Sequence, residues 1–319
     1  MQICRHRKSL VALCAALVMC FAAPSARATL QPPPPDGPLP KFAAHDPKSI
    51  QTYSYVLWAR ILDTVIESDD KGNSGINYGG LGVTGRNALE SFVSELTSVP
   101  VSTLNRNEQL AYWLNLYNAA SLRLMIDQFS NPVASGQDFA GRNPYATDRF
   151  NVKRIYTGRE NPWTVRNLTV EGVTLSLNDI EHRILYAQWP DEPVAYGLTC
   201  PLRGCPTPSR QPFQGGLVHE QLRDAARRFI ADDDNVAIKG DTVKVSEIYK
   251  QSVFGGEGKV PDHLRQYADD ARKQQLAAVT RVAGYVFDWK LAGKQPPAST
   301  RMPQGQMNRG AGAGGQIQE

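Results

Sequence analysis

The chain has 319 residues, and its 35 Lys and Arg outnumber its 31 Asp and Glu to give a formal net charge of +4. Four of the basic residues, Arg5, Arg7, Lys8 and Arg27, lie near the amino terminus, and without them the chain is formally neutral. This balance argues against the basic surface that nucleic acids or anionic membranes attract. We therefore expect no nucleic-acid partner.

The first 28 residues have the three parts of a secretory signal peptide. Basic residues at positions 5–8 precede an apolar run over 10–23, and the segment ends in the A-x-A pattern at 26–28. The run is shorter than the roughly 20 apolar residues that span a bilayer. We expect cleavage after Ala28 and export to the periplasm or the medium, with no transmembrane segment in the mature chain. An anchor that stays uncleaved is the alternative.

Composition divides the rest of the chain into three parts. Residues 29–44 are rich in proline and predict an extended linker. Residues 45–293 are long enough for one globular domain with its own core. Residues 294–319 are mostly Gly, Gln, Pro and Ala with little to bury, and predict a disordered tail.

Helical periodicity dominates the first half of the domain. Apolar spacing predicts helices over 46–68 and 85–97. A third helix begins at Asn105, which forms a capping-box pattern with Glu108, and it runs to about residue 129. Apolar residues surround its axis, so we expect it to be the buried centre of the fold.

Two amides interrupt this apolar helix. Asn115 and Asn118 are three residues apart and therefore neighbours on its surface. A buried amide without a partner costs about 1–3 kcal/mol, so both must find one. They either fasten an irregular loop to the helix or line a cleft, where they would orient a catalytic residue or stabilise an oxyanion. Trp113 and Tyr117, on the same helix, are candidate ligand-binding residues.

The second half of the domain mixes short strands with helices. The predicted strands are 163–170, 173–175, 194–199, 236–238 and 242–245, and the predicted helices are 218–231 and 261 into the 280s. Glu171-Gly172 and Gly240-Asp241 are suitable turns for two hairpins. The sequence therefore predicts an α+β single domain, mainly helical, with a small antiparallel sheet and a buried central helix.

A short helix that begins at Ser176 carries a histidine off its apolar face. Leu177, Ile180 and Ile184 share one side at α-helical spacing, whereas His182 lies on another. His182 is therefore predicted to point to solvent, to a cleft or to another element. The cysteine-containing loop follows after one predicted strand, so the loop and His182 could lie close enough to form one site.

Cys200 and Cys205 are the cysteines that remain once the signal peptide is removed. We expect no metal and no cofactor, because two cysteines cannot complete a Cys4 site and the histidines lack metal-binding spacing. The pair could form a disulfide in an oxidising compartment, supply a nucleophilic thiolate, or act as a redox pair, although C-x4-C is not the usual redox spacing. Arg203 is a candidate to bind ligand or to lower the thiol pKa.

Five sequence blocks form an ordered series within residues 45–293. They read EQLAYWLNLYNA, LSLNDIEHRIL, YGLTCPLRGCP, VSEIYK and FDWKLAG. The series resembles the DUF547 family, whose domains of unknown function occur in bacteria and plants. That family is in turn loosely similar to papain- and transglutaminase-type cysteine hydrolases.

The resemblance implies which residues form a site. The matching motif positions in this chain are Asn115, Tyr117, Asn118, Glu181, His182 and Cys200. The position of Cys205 is often serine in related sequences, which weakens a disulfide as the general purpose of the family. Pro201 stands where the pattern has glycine, and proline removes a backbone N–H that could contribute to an oxyanion hole.

Two functions remain open from the sequence. The first is a binding or scaffold module that takes a small molecule or a peptide in a polar cleft. The second is a cysteine-dependent hydrolase or acyltransferase in which Cys200 attacks, His182 is the base, and Asn115, Asn118 or Glu181 orients the imidazole or holds the oxyanion. We predict that the Cys200 sulfur lies within side-chain reach of His182.

Overall fold

The computed structural model of the protein describes residues 36–68, 74–130 and 161–294. The predicted signal peptide and the predicted tail from residue 295 onward lie outside the described residues. The longer α-helices are α1 (Val56–Val65), α2 (Gly82–Thr97), α3 (Arg106–Ser130), α4 (Val218–Ala231), α5 (Val260–Tyr267) and α6 (Asp270–Leu276). Among the described helices, none is both long and apolar enough to cross a membrane.

The remaining regular elements are short. The strands are β1 (Ile66–Ser68), β2 (Ser74–Asn77), β3 (Leu168–Val170), β4 (Val173–Leu175), β5 (Val236–Lys239), β6 (Thr242–Ser246), β7 (Arg281–Val286) and β8 (Gly293–Lys294). A π-helix covers Asp179–Leu185 and is followed by one α-helical turn, Tyr186–Gln188. The 3-10 helices are Pro40–Ala43, Val101–Thr103, Pro162–Thr164, Val194–Gly197, Glu247–Lys250, Ser252–Phe254 and Glu257–Lys259.

The fold is mainly helical α+β, as the sequence predicts. Helix α3 lies at the centre of the larger of two apolar cores, and its side chains are buried around much of its circumference, including Leu110, Leu116 and Ala119. The second core lies around α4 and the sheet that contains β5 and β6. A helix buried in this way offers a rigid base for the segments that pack on it.

The start of α3 confirms one half of the predicted capping box. The Asn105 Oδ1 atom accepts hydrogen bonds from the N–H groups of Asn107 (3.1 Å) and Glu108 (3.0 Å). Glu108 does not complete the box, because its Oε1 atom accepts the N–H of Tyr53 at 3.0 Å instead. The Glu108 carboxylate thereby fixes the segment that precedes α1.

The described residues contain three small sheets instead of one. The two predicted hairpins, β3–β4 and β5–β6, are confirmed as antiparallel pairs. Strand β7 adds parallel to β6, and β8 adds parallel to β2 with Ile76 opposite Gly293. Parallel pairs join segments that are distant in sequence and have no connecting turn, so neither leaves a local sequence signal.

The first predicted helix is wrong at both ends. Helix α1 begins only at Val56, and residues 66–68, predicted as its end, form β1. Asp46 starts a turn in which its Oδ1 atom accepts the Lys48 N–H at 2.9 Å, and the Tyr53 N–H bonds to Glu108. These bonds take N–H groups that a helix would have used, so local turn chemistry and a tertiary contact override the apolar periodicity.

The strand predicted over 194–199 is also wrong. Val194–Gly197 is a 3-10 turn that follows Pro193. It lies so close to α4 that a Cβ atom on Gly197 would approach Leu222 Cδ2 to 2.6 Å. A short buried apolar run does not distinguish a strand from a buried turn, which explains the error.

The helix predicted from 261 into the 280s consists of three elements, α5, α6 and β7. The break lies at Ala268–Asp269, where Asp269 caps α6 by accepting the Arg272 N–H at 2.7 Å. A new N-cap inside a periodic run ends one helix and starts another.

The part of the predicted linker that the structure describes packs on the domain. Phe42 is buried, and its ring meets Trp113 edge-on with centroids 5.0 Å apart. The N–H of Leu39 donates to the carbonyl oxygen of Arg183 at 3.0 Å. An extended, separate linker is therefore the wrong description of residues 36–44, because Phe42 supplies apolar surface that the core buries.

Candidate functional site

The π-helix carries two of the candidate residues, Glu181 and His182. The Tyr186 N–H bonds to the Glu181 carbonyl oxygen five residues back, instead of four as in an α-helix. Single turns of this kind are rare and often occur at functional sites. The wider turn also changes the angular spacing of the side chains, so the α-helical phase that the sequence assigned to His182 does not apply.

Asp179 fixes the beginning of the π-helix. Its buried carboxylate accepts hydrogen bonds from Arg166 Nε (2.9 Å), Arg183 Nη1 (2.9 Å) and the Ser176 N–H (3.0 Å). Burial alone would raise the pKa of Asp179, but these bonds together hold it well below its usual range. Asp179 is therefore an ionised anchor of the fold.

Glu181, two residues further on, is held in a different way. It is 5 % exposed, and its Oε2 atom accepts the Tyr117 hydroxyl at 3.1 Å. Its Oε1 atom accepts the Tyr186 hydroxyl at 2.8 Å and the Gln251 amide at 3.3 Å. Burial and the Glu181 carboxylate raise the pKa of the Tyr186 phenol, which therefore stays protonated as a donor. Among the described residues, no Lys or Arg pairs with Glu181.

Glu181 faces a small cleft, here called the Glu181 cleft, with a volume of about 40 Å³. Its walls combine the polar cluster with apolar side chains and both cysteines. The lining residues are Tyr117, Glu181, Tyr186, Ala195, Leu198, Cys200, Cys205, Pro206, Ile248 and Gln251. Residue 117, residues 195–206 and residues 248–251 thus meet the segment that carries the Glu181 carboxylate.

The two cysteines are joined by a disulfide, with their Cα atoms 5.8 Å apart. This separation lies within the usual range for a disulfide. Cys205 is buried and Cys200 is half-buried, so Cys200 is the more accessible of the two at the wall of the cleft. In this form neither sulfur is a thiol.

The disulfide loop is paired with a segment near the end of the described chain. Three backbone hydrogen bonds of 2.8–3.1 Å join residues 201–204 to residues 288–292. Leu202 and Leu291 form an antiparallel bridge. A Cβ atom on Gly204 would approach the Phe287 ring to 2.6 Å, so only glycine allows this contact. The loop is therefore held by backbone pairing as well as by its disulfide.

Asn115 and Asn118 both use their side-chain amides on backbone groups. Asn115 donates to the Phe213 carbonyl oxygen at 2.8 Å and accepts the Phe213 N–H at 3.0 Å. Asn118 donates to the Gly197 carbonyl oxygen and accepts the Thr199 N–H, each at 2.9 Å. The amides fasten the chain to α3 on either side of the disulfide loop, which is the first of the two roles that the sequence left open.

Residues 101–230 match the family described as "Protein of unknown function, DUF547". This segment is a DUF547 region. The resemblance stated from the sequence is confirmed there, with the first three sequence blocks inside the match and VSEIYK and FDWKLAG beyond its end. No curated protein and no solved structure matches the chain.

The DUF547 motif residue His182 does not line the Glu181 cleft. Its Nε2 atom lies 3.9 Å from Glu181 Oε1, and its ring meets Tyr186 edge-on at 5.2 Å. That nitrogen is buried and makes no hydrogen bond within the described residues. The contacts of His182 are therefore with its own helical segment, and its reach to Cys200 stays a prediction.

The other candidates in the DUF547 region lie in different environments. Tyr117 joins the cleft through its bond to Glu181. Trp113 is fully buried in the core between Phe42 and Tyr112, away from the cleft. Arg203 is exposed and does not line the cleft either. The sequence therefore nominated one core residue and one surface residue alongside the cleft residues.

Two polar residues of the cleft were missed by sequence reasoning. Tyr186 lies four residues after His182, and Gln251 directly follows the VSEIYK block. Both are polar residues at the edge of a DUF547-like block, a position that could have drawn attention to them. Their partnership with Glu181 could not have been found, because it depends on how distant segments pack.

Proposed function

We propose that this protein is an exported binding module whose DUF547 region holds a ligand in the Glu181 cleft without covalent chemistry. The observation that carries the proposal is the Cys200–Cys205 disulfide. A cysteine attacks as its thiolate, and a bonded sulfur cannot form one.

The remaining candidate catalytic groups support the same conclusion. The amides of Asn115 and Asn118 are used on loop backbone and are not free to hold an oxyanion. Pro201 has no N–H to offer beside Cys200. His182 is not among the residues that line the cleft with the disulfide, and its Nε2 atom lies 3.9 Å from Glu181 Oε1. A hydrolase would need all three functions at one point.

The chemistry of the cleft favours a ligand group that donates hydrogen bonds. Glu181 presents a carboxylate without a Lys or Arg partner among the described residues. Leu198 and Ile248 add apolar wall. A volume of about 40 Å³ is far below that of a pocket for a whole ligand, so the cleft admits one polar group, such as the end of a peptide side chain or one end of a small molecule.

Thiol labelling tests the absence of covalent chemistry. Iodoacetamide added without reductant to protein isolated from its native compartment should leave the intact mass unchanged. After treatment with dithiothreitol, it should label both Cys200 and Cys205. A Cys205→Ser variant, in which Cys200 cannot be bonded, gives the matched positive control. Free thiol in the untreated wild-type protein would contradict the proposal.

A cysteine-dependent hydrolase is the second candidate, because Cys200 lines the same cleft as Glu181. We expect hydrolysis of a p-nitrophenyl ester to stay at the background rate in oxidised and in reduced protein. Hydrolysis that requires reduction, is lost in Cys200→Ser and His182→Ala, and persists in Cys205→Ser would replace the binding module with the hydrolase.

Export is the remaining part of the proposal. The signal-like sequence of residues 1–28 supports it, and disulfides persist in oxidising compartments. Amino-terminal sequencing of protein recovered from the periplasm or the medium should begin at Thr29. Recovery of the exported chain with Met1 intact would contradict cleavage.

A further inference from the structure

A larger cavity of about 200 Å³ lies between residues 190–195 and helix α5. We call it the His263 cavity after the histidine in its wall. It shares Ala195 with the Glu181 cleft, but none of the site residues nominated from the sequence lines it. It is thus a second place with room for a small ligand, independent of the proposed function.

Aromatic rings form one side of the His263 cavity. The His263 ring stacks on Tyr196 with centroids 5.8 Å apart and planes 15° from parallel. Phe254 meets it edge-on at 4.9 Å, and Tyr267 lies tilted at 4.9 Å. Phe254, His263 and Tyr267 all line the cavity. Such rings attract a cation through their faces.

His263 is held in the cavity wall by a pair of tyrosines. The Tyr196 hydroxyl donates to the Tyr249 hydroxyl at 3.0 Å and lies 2.9 Å from His263 Nε2. Either Tyr196 or His263 can supply the proton of this second contact, so the tautomer of the ring follows from the direction of the tyrosine–tyrosine bond. Burial lowers the pKa of His263 to about 4, so the ring is neutral near pH 7.

Acidic residues form another side of the cavity. Asp191 and Glu192 both line it; burial chiefly raises the pKa of the Tyr267 phenol, and these two carboxylates add to the increase. Arg223 acts in the opposite direction on the same phenol. His219 Nδ1 lies 3.0 Å from Glu192 Oε1, whereas Glu192 Oε2 is buried without a hydrogen-bond partner in the described chain. The local charge is therefore negative unless His219 is protonated.

We propose that the His263 cavity binds a small organic ammonium ion. Asp191 and Glu192 supply the counter-charge, and the aromatic side chains of Phe254, His263 and Tyr267 line the same cavity, a combination suited to an organic cation. A metal ion fits less well, because no three His, Cys, Asp or Glu side chains in the described ranges lie close enough together to hold one. The ammonium group belongs either to a free amine or to a lysine side chain of a peptide.

Calorimetric titration of the full chain with n-butylammonium tests this site. We expect saturable one-to-one binding, whereas n-butanol, the neutral analogue of similar shape, should not bind. Asp191→Asn and Glu192→Gln should each weaken butylammonium binding by up to about fivefold, as expected for a partly exposed charge pair. Asp270→Asn is the matched control, because its carboxylate is 98 % exposed on α6, and it should change nothing.

Two further readouts locate the site and the source of the ammonium group. Butylammonium should shift the NMR resonance of His263 Hε1, and thermal melting verifies that each variant is folded. Tighter binding of Nα-acetyl-lysine amide than of butylammonium would assign the cavity to a peptide side chain. The proposal is overturned by equal binding of butanol, by binding that neither carboxylate variant changes, or by no binding of butylammonium at all. None of these results depends on whether the Glu181 cleft binds a ligand.

Discussion

The asparagine pair on α3 and Glu181 on the π-helix are polar residues near the same loop, yet their partners differ. Asn115 and Asn118 bond to backbone groups of the chain that they fasten, and Asn115 also bonds to the Tyr55 side chain. Glu181 bonds to three side chains and faces a cleft. A polar group that satisfies backbone is needed for the fold, whereas one held by other side chains at a cleft is available for a ligand.

The largest expected effect comes from Asn115→Leu. The change leaves the N–H and carbonyl groups of Phe213 buried and unpaired, so we expect a loss of about 3 kcal/mol in the free energy of unfolding. Asn118 is only half-buried, and Asn118→Leu should cost less because water can replace its bonds. Asn107→Leu, exposed on the same helix, removes only a solvent-exposed contact with His219 and should change stability by less than about 1 kcal/mol. Urea denaturation measures all three variants. Unchanged midpoints for Asn115→Leu and Asn118→Leu would contradict a structural role for these two amides.

Acid should weaken the contribution of Asp179 to stability, because its carboxylate binds the side chains of Arg166 and Arg183. The folded-state pKa of Asp179 is lowered, so its stabilising contribution is present above the unfolded-state value of about 4 and is lost as the pH falls below it. At pH 7, Asp179→Asn should cost about 2 kcal/mol by weakening bonds to charged donors. The variant should also lose stability less steeply than wild type between about pH 4 and pH 2. Urea denaturation across this range tests both points. If the free energy of unfolding falls as steeply with pH in the variant as in wild type, groups other than Asp179 cause the loss.

Removal of the disulfide by the double change Cys200→Ser and Cys205→Ser should cost about 2 kcal/mol, the loop-entropy value for so short a loop. The backbone bonds between residues 201–204 and 288–292 remain, so the domain should still fold. Thermal melting with and without dithiothreitol measures the effect. Reduced wild-type protein should have the same melting temperature as the double variant. Loss of the cooperative transition would show that the loop depends on its cross-link more than on its backbone pairing.

Glu181→Gln should have the smallest effect on stability, below about 1 kcal/mol, because the amide has the same shape and can still bond to both tyrosines. The same change should weaken any ligand that binds the carboxylate of the Glu181 cleft. Urea denaturation is the measurement. A loss as large as that of Asn115→Leu would show that Glu181 is needed for the fold, as Asn115 is.

Local sequence signals predicted the parts of the molecule that local interactions build. The N-cap at Asn105, the buried helix α3 and the two hairpins follow from neighbouring residues, and all are present. The 3-10 turn Val194–Gly197 and the parallel strand pairs depend on distant segments and were missed. The candidate site divides in the same way. Glu181 and Cys200 could be nominated from motifs, but the π-helix and the contact with Gln251 arise only in the folded chain.

The pairing of β8 with β2 has a consequence for how the domain folds. Ile76 and Gly293 stand opposite each other, so a ladder near the beginning of the domain is completed only by its last described residues. Loops that long are slow to close, and until closure β2 presents an unpaired edge to other chains. In a chain that crosses a membrane amino terminus first, that edge would wait for the carboxyl-terminal segment to arrive. Neither strand of this pair lies within residues 101–230, the segment that matches DUF547. Protection of this edge of β2 against pairing with other chains therefore depends on residues 293–294, more than 200 residues away along the chain.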